Sequence, residues 1–294
     1  MLTRMTNRPR TVLITGASTG IGECAAHRLD RLGWRVFAGV RREEDGARVA
    51  ANASDRLQWV LLDVTDPRSI ASAVDTLRRQ VAAGGLDALV NNAGIAVGSP
   101  LEFVDLEALR RQFEVNVFGL VAVTQACLPL LRSARGRIVN IGSVSGRVAA
   151  PMVGPYSASK HAVEAISDVL RMELAPAGIE TSLIEPGSVR TPIWEKGARS
   201  FDEAKTAFPA EAFRSYQAHF HLMEKVVRRG RKYGIAPERV ADSIVHALTA
   251  RKPRHRYLIG RDARIRFYLQ NLLPRRWMDG LVQRMIRKHG TPAA

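Results

Sequence analysis

The 294-residue chain has only two cysteines, Cys24 and Cys127, and their separation fits no metal-ligand spacing. Both lie in stretches with helical periodicity, so we expect small core residues in a reducing compartment. The sequence therefore predicts no metal site, and it assigns no chemistry to either thiol.

Long apolar runs are also missing. No stretch of about 18 apolar residues occurs, and residues 1–10 lack the apolar core of a signal peptide. We therefore expect a cytoplasmic protein. Since 46% of the residues are hydrophobic, the chain can form one large α/β domain with an appendage, without internal repeats or low-complexity segments.

Acidic residues are scarce relative to basic ones, and the formal net charge is +16. Residues 251–290 hold twelve Lys and Arg against two Asp, so the excess lies mainly in the last fifth of the chain. There, two amphipathic pieces are separated by Pro274. Such a tail can pack on its own domain, dimerise or lie on an anionic membrane as a peripheral contact. Nucleic acid is not expected as a partner, because the basic residues alternate with aliphatic rather than stacking side chains.

The first chemical signal is a glycine-rich turn. The β-branched strand Thr11–Thr15 leads into G-A-S-T-G-I-G, and an amphipathic helix follows up to Gly33. Gly16, Gly20 and Gly22 permit a tight turn and a close approach of the backbone to a pyrophosphate at the helix N-terminus. The alternative is a plain tight β–α turn.

The second strand, Arg35–Val40, ends where dinucleotide-binding folds place an acidic residue against the ribose hydroxyls. Here Val40 occupies that position and Arg41 follows, which favours NADP(H) and leaves NAD(H) possible. The alternative is a solvated basic loop, in which Glu43, Glu44 and Asp45 pair with the arginines.

Further strands end in small or polar residues. Asp63 follows Gln58–Leu62, N-N-A-G follows Ala88–Val90, and E-P-G-S-V-R-T follows Glu180–Ile184. With a seventh strand at Tyr257–Ile259, the alternation of strands and helices predicts an α/β fold with a doubly wound, seven-stranded parallel sheet. Residues 101–131 have a helical pattern containing Asn116, whose amide needs partners in an apolar run.

The strongest signal follows the strand at residues 137–142. Ser143 lies at its carboxyl end, where open α/β sheets bind ligands, and Tyr156 and Lys160 share a face of the next helix. The lysine ammonium is expected to lower the tyrosine pKa, so that Tyr156 can exchange a proton while Ser143 holds a carbonyl oxygen. The alternative is an ordinary Ser/Ala-rich helix start.

Between Trp194 and Gly234 the periodicity weakens and aromatic residues accumulate, which predicts a substrate lid. We therefore divide the chain into an N-terminal extension (1–10), a single domain (11–262) with a helical lid insertion at 194–235, and a basic amphipathic tail (263–294). His219 and His221 of the lid face solvent or substrate rather than a metal.

In order and spacing, T-G-x-x-x-G-x-G, Asp63, N-N-A-G, Asn116, Ser143, Y-x-x-x-K and Pro186-Gly187 resemble the classical short-chain dehydrogenase/reductase family. The likeness covers about residues 11–191. The lid and tail resemble the branch of 17β-hydroxysteroid and retinol dehydrogenases. The family implies a three-layer Rossmann fold and, commonly, a homodimer or homotetramer formed through the helices that contain Asn116 and Tyr156.

The resemblance also implies residue roles. Tyr156 is the acid/base, Ser143 orients the carbonyl, Lys160 binds the nicotinamide ribose and Asn116 holds a relay water. The implied cofactor-binding residues are Gly16, Ser18, Thr19, Gly20, Ile21, Gly22, Arg41, Asp63, Val64, Asn92, Ala93, Gly94, Tyr156, Lys160, Pro186, Gly187, Val189 and Thr191.

We therefore expect an oxidoreductase that transfers hydride between NADP(H) and a small apolar alcohol, ketone or aldehyde of steroid or retinoid type. A 3-oxoacyl reductase acting on a carrier-bound or CoA-linked chain is the alternative. A non-catalytic nucleotide sensor is the third possibility, and the complete set of Asn, Ser, Tyr and Lys argues against it.

Overall fold

A computed structural model describes residues 8–81, 84–195, 197, 202, 206 and 208–289. Seven parallel strands form one sheet in the order β3-β2-β1-β4-β5-β6-β7, which confirms the predicted doubly wound sheet. The strands are β1 (Thr11–Ile14), β2 (Arg35–Val40), β3 (Leu57–Leu61), β4 (Ala88–Asn91), β5 (Arg137–Ile141), β6 (Glu180–Pro186) and β7 (Arg256–Ile259).

Helices cover both faces of this sheet. They are α1 (Gly20–Arg31), α2 (Glu43–Ala50), α3 (Pro67–Val81), α4 (Leu106–Phe113), α5 (Gly119–Ala134), α6 (Gly154–Leu174), α7 (Ala210–Tyr233), α8 (Pro237–Thr249), α9 (Arg261–Leu272) and α10 (Arg275–His289). Asp66 caps α3: its side chain accepts a hydrogen bond from the Arg68 N–H (2.9 Å).

The sheet is buried on both sides because successive side chains point to opposite faces. Val12 and Ile14 of β1 pack with α1 and α8. Leu13, between them, packs with α3 and α5 on the other side. Cys127 lies in this second layer, whereas Cys24 of α1 is only partly buried, so the prediction of two core cysteines is confirmed for one.

The helix predicted over residues 101–131 is interrupted. Asp105 caps α4 with its carboxylate, and a π-helical turn, Glu114–Phe118, separates α4 from α5. By length and composition, the helical stretch Leu106–Ala134 is long enough to cross a membrane, but half of its apolar window is buried in the fold. The sequence count missed this stretch because polar residues such as Asn116 and Gln125 interrupt the apolar run.

The lid region is anchored at both ends. The Ile235 N–H donates to the Ser188 carbonyl, and the Arg190 N–H donates to the Ile235 carbonyl (2.8 and 2.9 Å). Where the sequence periodicity is weak, the structure has the 24-residue helix α7. Most of residues 196–207, with Phe201, lie outside the described part of the chain. Phe220 of α7 packs with Met152 and Phe208.

The basic tail packs on its own domain, which was one of the three arrangements considered. Ala263 of α9 is fully buried against Val144 and Val148, and Ile286 of α10 is buried as well. The tail begins at Arg261, directly after β7, and Pro274 separates its two helices as predicted.

Candidate active site

One cavity of about 2360 Å³ lies at the carboxyl edge of the sheet. Most predicted site residues line it, and Gly22 and Asn116 do not. The predicted residues in its wall are Gly16, Ser18, Thr19, Gly20, Ile21, Arg41, Asp63, Val64, Asn92, Ala93, Gly94, Ser143, Tyr156, Lys160, Pro186, Gly187, Val189 and Thr191.

The glycine-rich turn needs glycine for two separate reasons. Gly16 has a φ of +63°, and a Cβ there would lie 2.8 Å from the Ala93 Cα. A Cβ on Gly22 would lie 2.5 Å from the Asn92 Nδ2. That amide donates to the carbonyls of Thr15 and Gly16 (both 2.9 Å). Gly22 therefore lies behind the turn, where it permits the contact between the ends of β1 and β4.

The two arginines after β2 have different surroundings. Arg42 pairs with Glu44 and Asp45 (3.1 and 3.0 Å). Both arginines line the cavity and are exposed, but no described residue forms an ion pair or hydrogen bond with the Arg41 guanidinium. The basic-loop alternative therefore describes Arg42 and leaves Arg41 free to meet a ligand.

Asp63 is held as an anion next to Arg41. Its carboxylate accepts hydrogen bonds from the N–H and the hydroxyl of Thr65 (2.9 and 2.7 Å). Burial alone would raise the pKa of Asp63, but these bonds and the charges of Arg41 and Arg111 lower it overall. The cavity wall thus places the Asp63 carboxylate near the guanidinium of Arg41, which forms no ion pair with any described residue.

Ser143, Tyr156 and Lys160 come together in the same wall. Ser143 lies two residues after the end of β5 and caps a short 3₁₀ turn: its Oγ accepts a hydrogen bond from the Ser145 N–H (3.1 Å). The Tyr156 phenol lies near enough to this hydroxyl for Ser143 to lower the pKa of the phenol. Lys160 is buried, its Nζ donates to the Ile141 carbonyl (2.7 Å), and it lies 5.8 Å from the centre of the Tyr156 ring.

The prediction that Lys160 lowers the pKa of Tyr156 is wrong for the protein by itself. Burial raises the pKa of Tyr156, and only the hydrogen bond with Ser143 opposes this rise. Burial also lowers the pKa of Lys160 to about 8, against the attraction of Glu164. Because the ammonium is directed at the Ile141 carbonyl, it does not offset the desolvation of the phenol.

The Asn116 amide finds the partners that the sequence predicts it to need, and it joins the Ile95 segment to α6. It lies in the π-helical turn, and its side chain exchanges hydrogen bonds with the Ile95 N–H and carbonyl (2.9 and 3.0 Å) and donates to the Ser159 Oγ (3.1 Å). Gln112, one turn earlier, binds the Val97 N–H and the Ile95 carbonyl (both 2.7 Å). Sequence reasoning missed Gln112, although its spacing from Asn116 was a usable signal.

A charged cluster behind the catalytic wall was also missed. Arg147 bonds to Glu185 (2.9 Å) and Glu164 (3.2 Å), and Arg256 bonds to Glu164 and Asp168. The cluster joins the Ser143 turn to α6, β6 and β7. No short motif contains it, because its members come from four separate elements.

The far side of the cavity is apolar, and the exposed side chains of Arg228, Arg231, Lys232 and Arg275 form its basic rim. Side chains from residues 194–235 and from the tail line this side, and His219 is among them. The apolar and aromatic lining residues here include Met152, Ile193, Trp194, Leu222, Met223, Val226, Val227, Leu269, Met278, Leu281, Val282 and Met285. Met152 has the left-handed φ of +70°, a strained conformation at a ligand-facing position.

Comparisons with known proteins agree with this geometry. A family model described as short chain dehydrogenase matches residues 10–200. "NADPH-dependent 3-dehydrocapnine reductase" of Ornithobacterium rhinotracheale is 36% identical over 95% of this chain and 98% of its own length. "17-beta-hydroxysteroid dehydrogenase type 6" of Rattus norvegicus is 40% identical over 94% of this chain and 89% of its own length. A short chain dehydrogenase of Burkholderia cenocepacia, solved in complex with NADP, has a TM-score of 0.71 and 26% identity, covering 95% of this chain and 99% of its own.

Proposed function

Because the chain belongs to the short-chain dehydrogenase/reductase family, we propose that it transfers hydride between NADP(H) and an apolar secondary alcohol, ketone or aldehyde, with Tyr156 as the acid/base. The observation that most directly supports this proposal is that Ser143, Tyr156 and Lys160 line the same cavity as the glycine-rich turn and Arg41. An oxidoreductase acting on a CH–OH group agrees with the relatives, which are named dehydrogenases and reductases.

The residues present fit a phosphorylated dinucleotide. Gly16 lets the turn lie against Ala93, where a Cβ would be 2.8 Å from the Ala93 Cα, and the Arg41 guanidinium, which faces the cavity, has no ion-pair partner among the described residues. We assign Gly16, Ser18, Thr19, Gly20, Ile21 and Gly22 to the pyrophosphate, Arg41 to the 2′-phosphate and Asp63 with Val64 to the adenine. Asn92, Ala93 and Gly94 would support the adenosine ribose region, and Pro186, Gly187, Val189 and Thr191 the nicotinamide.

The cofactor, when bound, supplies or accepts the hydride. Ser143 holds the substrate oxygen by a hydrogen bond, and Tyr156 donates the proton in reduction or takes it in oxidation. Lys160 would bind the ribose hydroxyls of the nicotinamide half of the cofactor. We retain Asn116 as the residue that positions a relay water, while its side chain holds the Ile95 segment.

The apolar far side of the cavity favours a substrate of steroid or retinoid type. A relative named for a 17-beta-hydroxysteroid supports this choice. The 3-oxoacyl reductase alternative needs an acidic carrier at the basic rim, and no contact in the described structure favours it over the apolar substrate.

Two further associations belong to the proposal. Exposed apolar residues Phe118, Val169 and Met172 lie on the helical segments of Asn116 and Tyr156, and they support a homodimer or homotetramer of a cytoplasmic protein. Exposed Tyr268, Leu272 and Trp277 of the tail lie among arginines, and they support a peripheral contact with an anionic membrane.

Cofactor choice provides the direct test. We would titrate the protein with NADPH and NADH by fluorescence, alongside Arg41→Ala and Arg42→Ala. Arg41→Ala should weaken NADPH binding about tenfold or more and leave NADH unchanged, because it removes a charge-assisted hydrogen bond to the 2′-phosphate. Arg42→Ala is the matched control, since its guanidinium already pairs with Glu44 and Asp45. A preference for NADH that is indifferent to Arg41 would overturn the assignment.

A further inference from the structure

Helix α9 is fastened to the loop that follows β6. The carboxylate of Asp262, in the first turn of α9, accepts a hydrogen bond from the Ser188 N–H (2.8 Å). A Cβ on Gly187 would lie 2.3 Å from that carboxylate. The first turn of α9 is thus held at the carboxyl edge of the sheet, beside the loop that we assign to the nicotinamide.

Arg266 follows Asp262 by about one helical turn and lines the cavity. The side chain is half-buried, yet within the described ranges no residue forms a hydrogen bond or an ion pair with its guanidinium. The attraction of Asp262 is too weak to offset burial, which lowers the pKa of Arg266. A partly desolvated cation without a partner is costly in free energy, so the position indicates a ligand that supplies the anion.

The surroundings of Arg266 have a second property. Leu269 and Gln270, on the next turn of α9, line the cavity with it, and Met278 and Leu281 of α10 add apolar surface. A ligand that reaches Arg266 therefore meets a cation and an apolar wall together. A fully apolar molecule would use the wall and leave the guanidinium unpaired.

We propose that Arg266 binds an anionic group of the substrate, which is an amphipathic ketone or alcohol carrying a carboxylate, sulfonate or phosphate on an apolar chain. The guanidinium presents a planar fork of donors that matches the oxygens of these groups. This inference rests on the proposed oxidoreductase function and narrows its substrate class.

The test measures binding without turnover. Protein saturated with NADP⁺ is titrated by calorimetry with decane-1-sulfonate and with decan-1-ol, which share the same chain and differ in the charged head. Saturation with NADP⁺ blocks the phosphate site at Arg41. Wild-type protein should bind the sulfonate about tenfold more tightly or better, as expected for a charge-assisted hydrogen bond in a partly buried site.

Arg266→Gln should remove this preference and leave decan-1-ol affinity unchanged, which also shows that the variant is folded. Arg266→Lys keeps the charge without the fork and should retain part of the preference. Arg264→Gln is the matched control, because Arg264 is exposed on the same helix and does not line the cavity. It should alter neither affinity by more than about twofold.

Two outcomes would overturn the inference. Equal binding of sulfonate and alcohol by wild-type protein would show that no anion site exists. An equal loss in Arg264→Gln and Arg266→Gln would assign the preference to overall charge. Failure of the proposed function would give a different result. Neither charged nor neutral ketones would then be reduced with NADPH, while the preference for the sulfonate would persist.

Discussion

The Nζ of Lys160 donates a hydrogen bond to the carbonyl oxygen of Ile141, the last residue of β5, over 2.7 Å. This bond ties α6 to the strand that ends just before Ser143. The phenol of Tyr156, on the same helix, is therefore held at a constant position relative to the Ser143 hydroxyl. Lys160 thus has a structural role in the protein by itself, in addition to the chemical role that we propose.

Tyr156→Phe should abolish turnover and leave NADPH affinity within about twofold of wild type. The phenol transfers a proton, so its loss should lower kcat by about a thousandfold. Steady-state rates and a fluorescence titration with NADPH measure the two effects. Tyr233→Phe is the matched control, because Tyr233 is 70% exposed and does not line the cavity. A parallel loss of NADPH binding in Tyr156→Phe would contradict the assignment.

Gly22→Ala should weaken NADPH binding about tenfold and lower the free energy of unfolding by about 1–3 kcal/mol. The added methyl group would displace the Asn92 amide, which joins the carbonyls of Thr15 and Gly16. NADPH titration and denaturant unfolding would be compared with Gly280→Ala.

Gly280 lies in α10, and a Cβ there meets no atom within 4 Å. Its replacement should leave NADPH affinity unchanged and stabilise the helix by about 0.5–1 kcal/mol. If both alanine variants bound NADPH like wild type, the contact between the β1 turn and Asn92 would not support the cofactor site.

The sheet could be predicted from the sequence because buried parallel strands are short apolar runs bounded by turn residues. The observed strands agree with the predicted ones within a residue or two at each end. The site at their carboxyl ends followed from topology, since loops after neighbouring parallel strands meet at one edge.

What the sequence could not predict depends on contacts between distant segments. The π-helical turn around Asn116 exists within a continuous apolar helix pattern, and local propensity does not distinguish it. The pKa of Tyr156 depends on how deeply the phenol is buried, and the spacing of residues along a helix does not reveal this. Likewise, the charged cluster forms only after folding, from Arg147, Glu164, Glu185 and Arg256. The lack of an ion-pair partner for Arg266 among the described residues also depends on which residues surround it in the fold.

Glu164 should make stability depend on pH near neutrality. Burial, together with Glu185, raises its folded pKa from 4.5 to about 7, against the opposing effect of Arg256 and Arg147. A carboxyl with a raised folded pKa stabilises the fold while it is protonated. That contribution, about 2 kcal/mol after a discount for solvent around the arginines, is lost as the pH rises from about 4.5 through about 7.

Glu164→Gln removes this titration, so its stability relative to wild type should increase as the pH rises from about 5 to about 8. Urea unfolding across this range measures the difference. Asp168→Asn is the control, because Asp168 also binds Arg256 but has a lowered pKa. Its stability difference from wild type should stay constant over the same range. A constant difference for Glu164→Gln as well would contradict the raised pKa.

The membrane contact is best tested by single substitutions in the tail. Removing all residues after Gly260 would not isolate it, because α9 and α10 line the cavity and Ala263 is buried in the core. Leu272 is 77% exposed and Trp277 58%. Neither side chain lines the cavity, so each can be changed without altering the substrate site.

Leu272→Glu should weaken sedimentation with vesicles containing about one third phosphatidylserine by about tenfold, because insertion of a leucine contributes about 1–2 kcal/mol and the new carboxylate is repelled. Leu32→Glu, a leucine 54% exposed in the turn after α1, adds the same charge outside the tail. It should bind vesicles like wild type and thereby exclude net charge as the cause. If wild-type protein bound neither these vesicles nor neutral ones, the proposed membrane contact would be wrong.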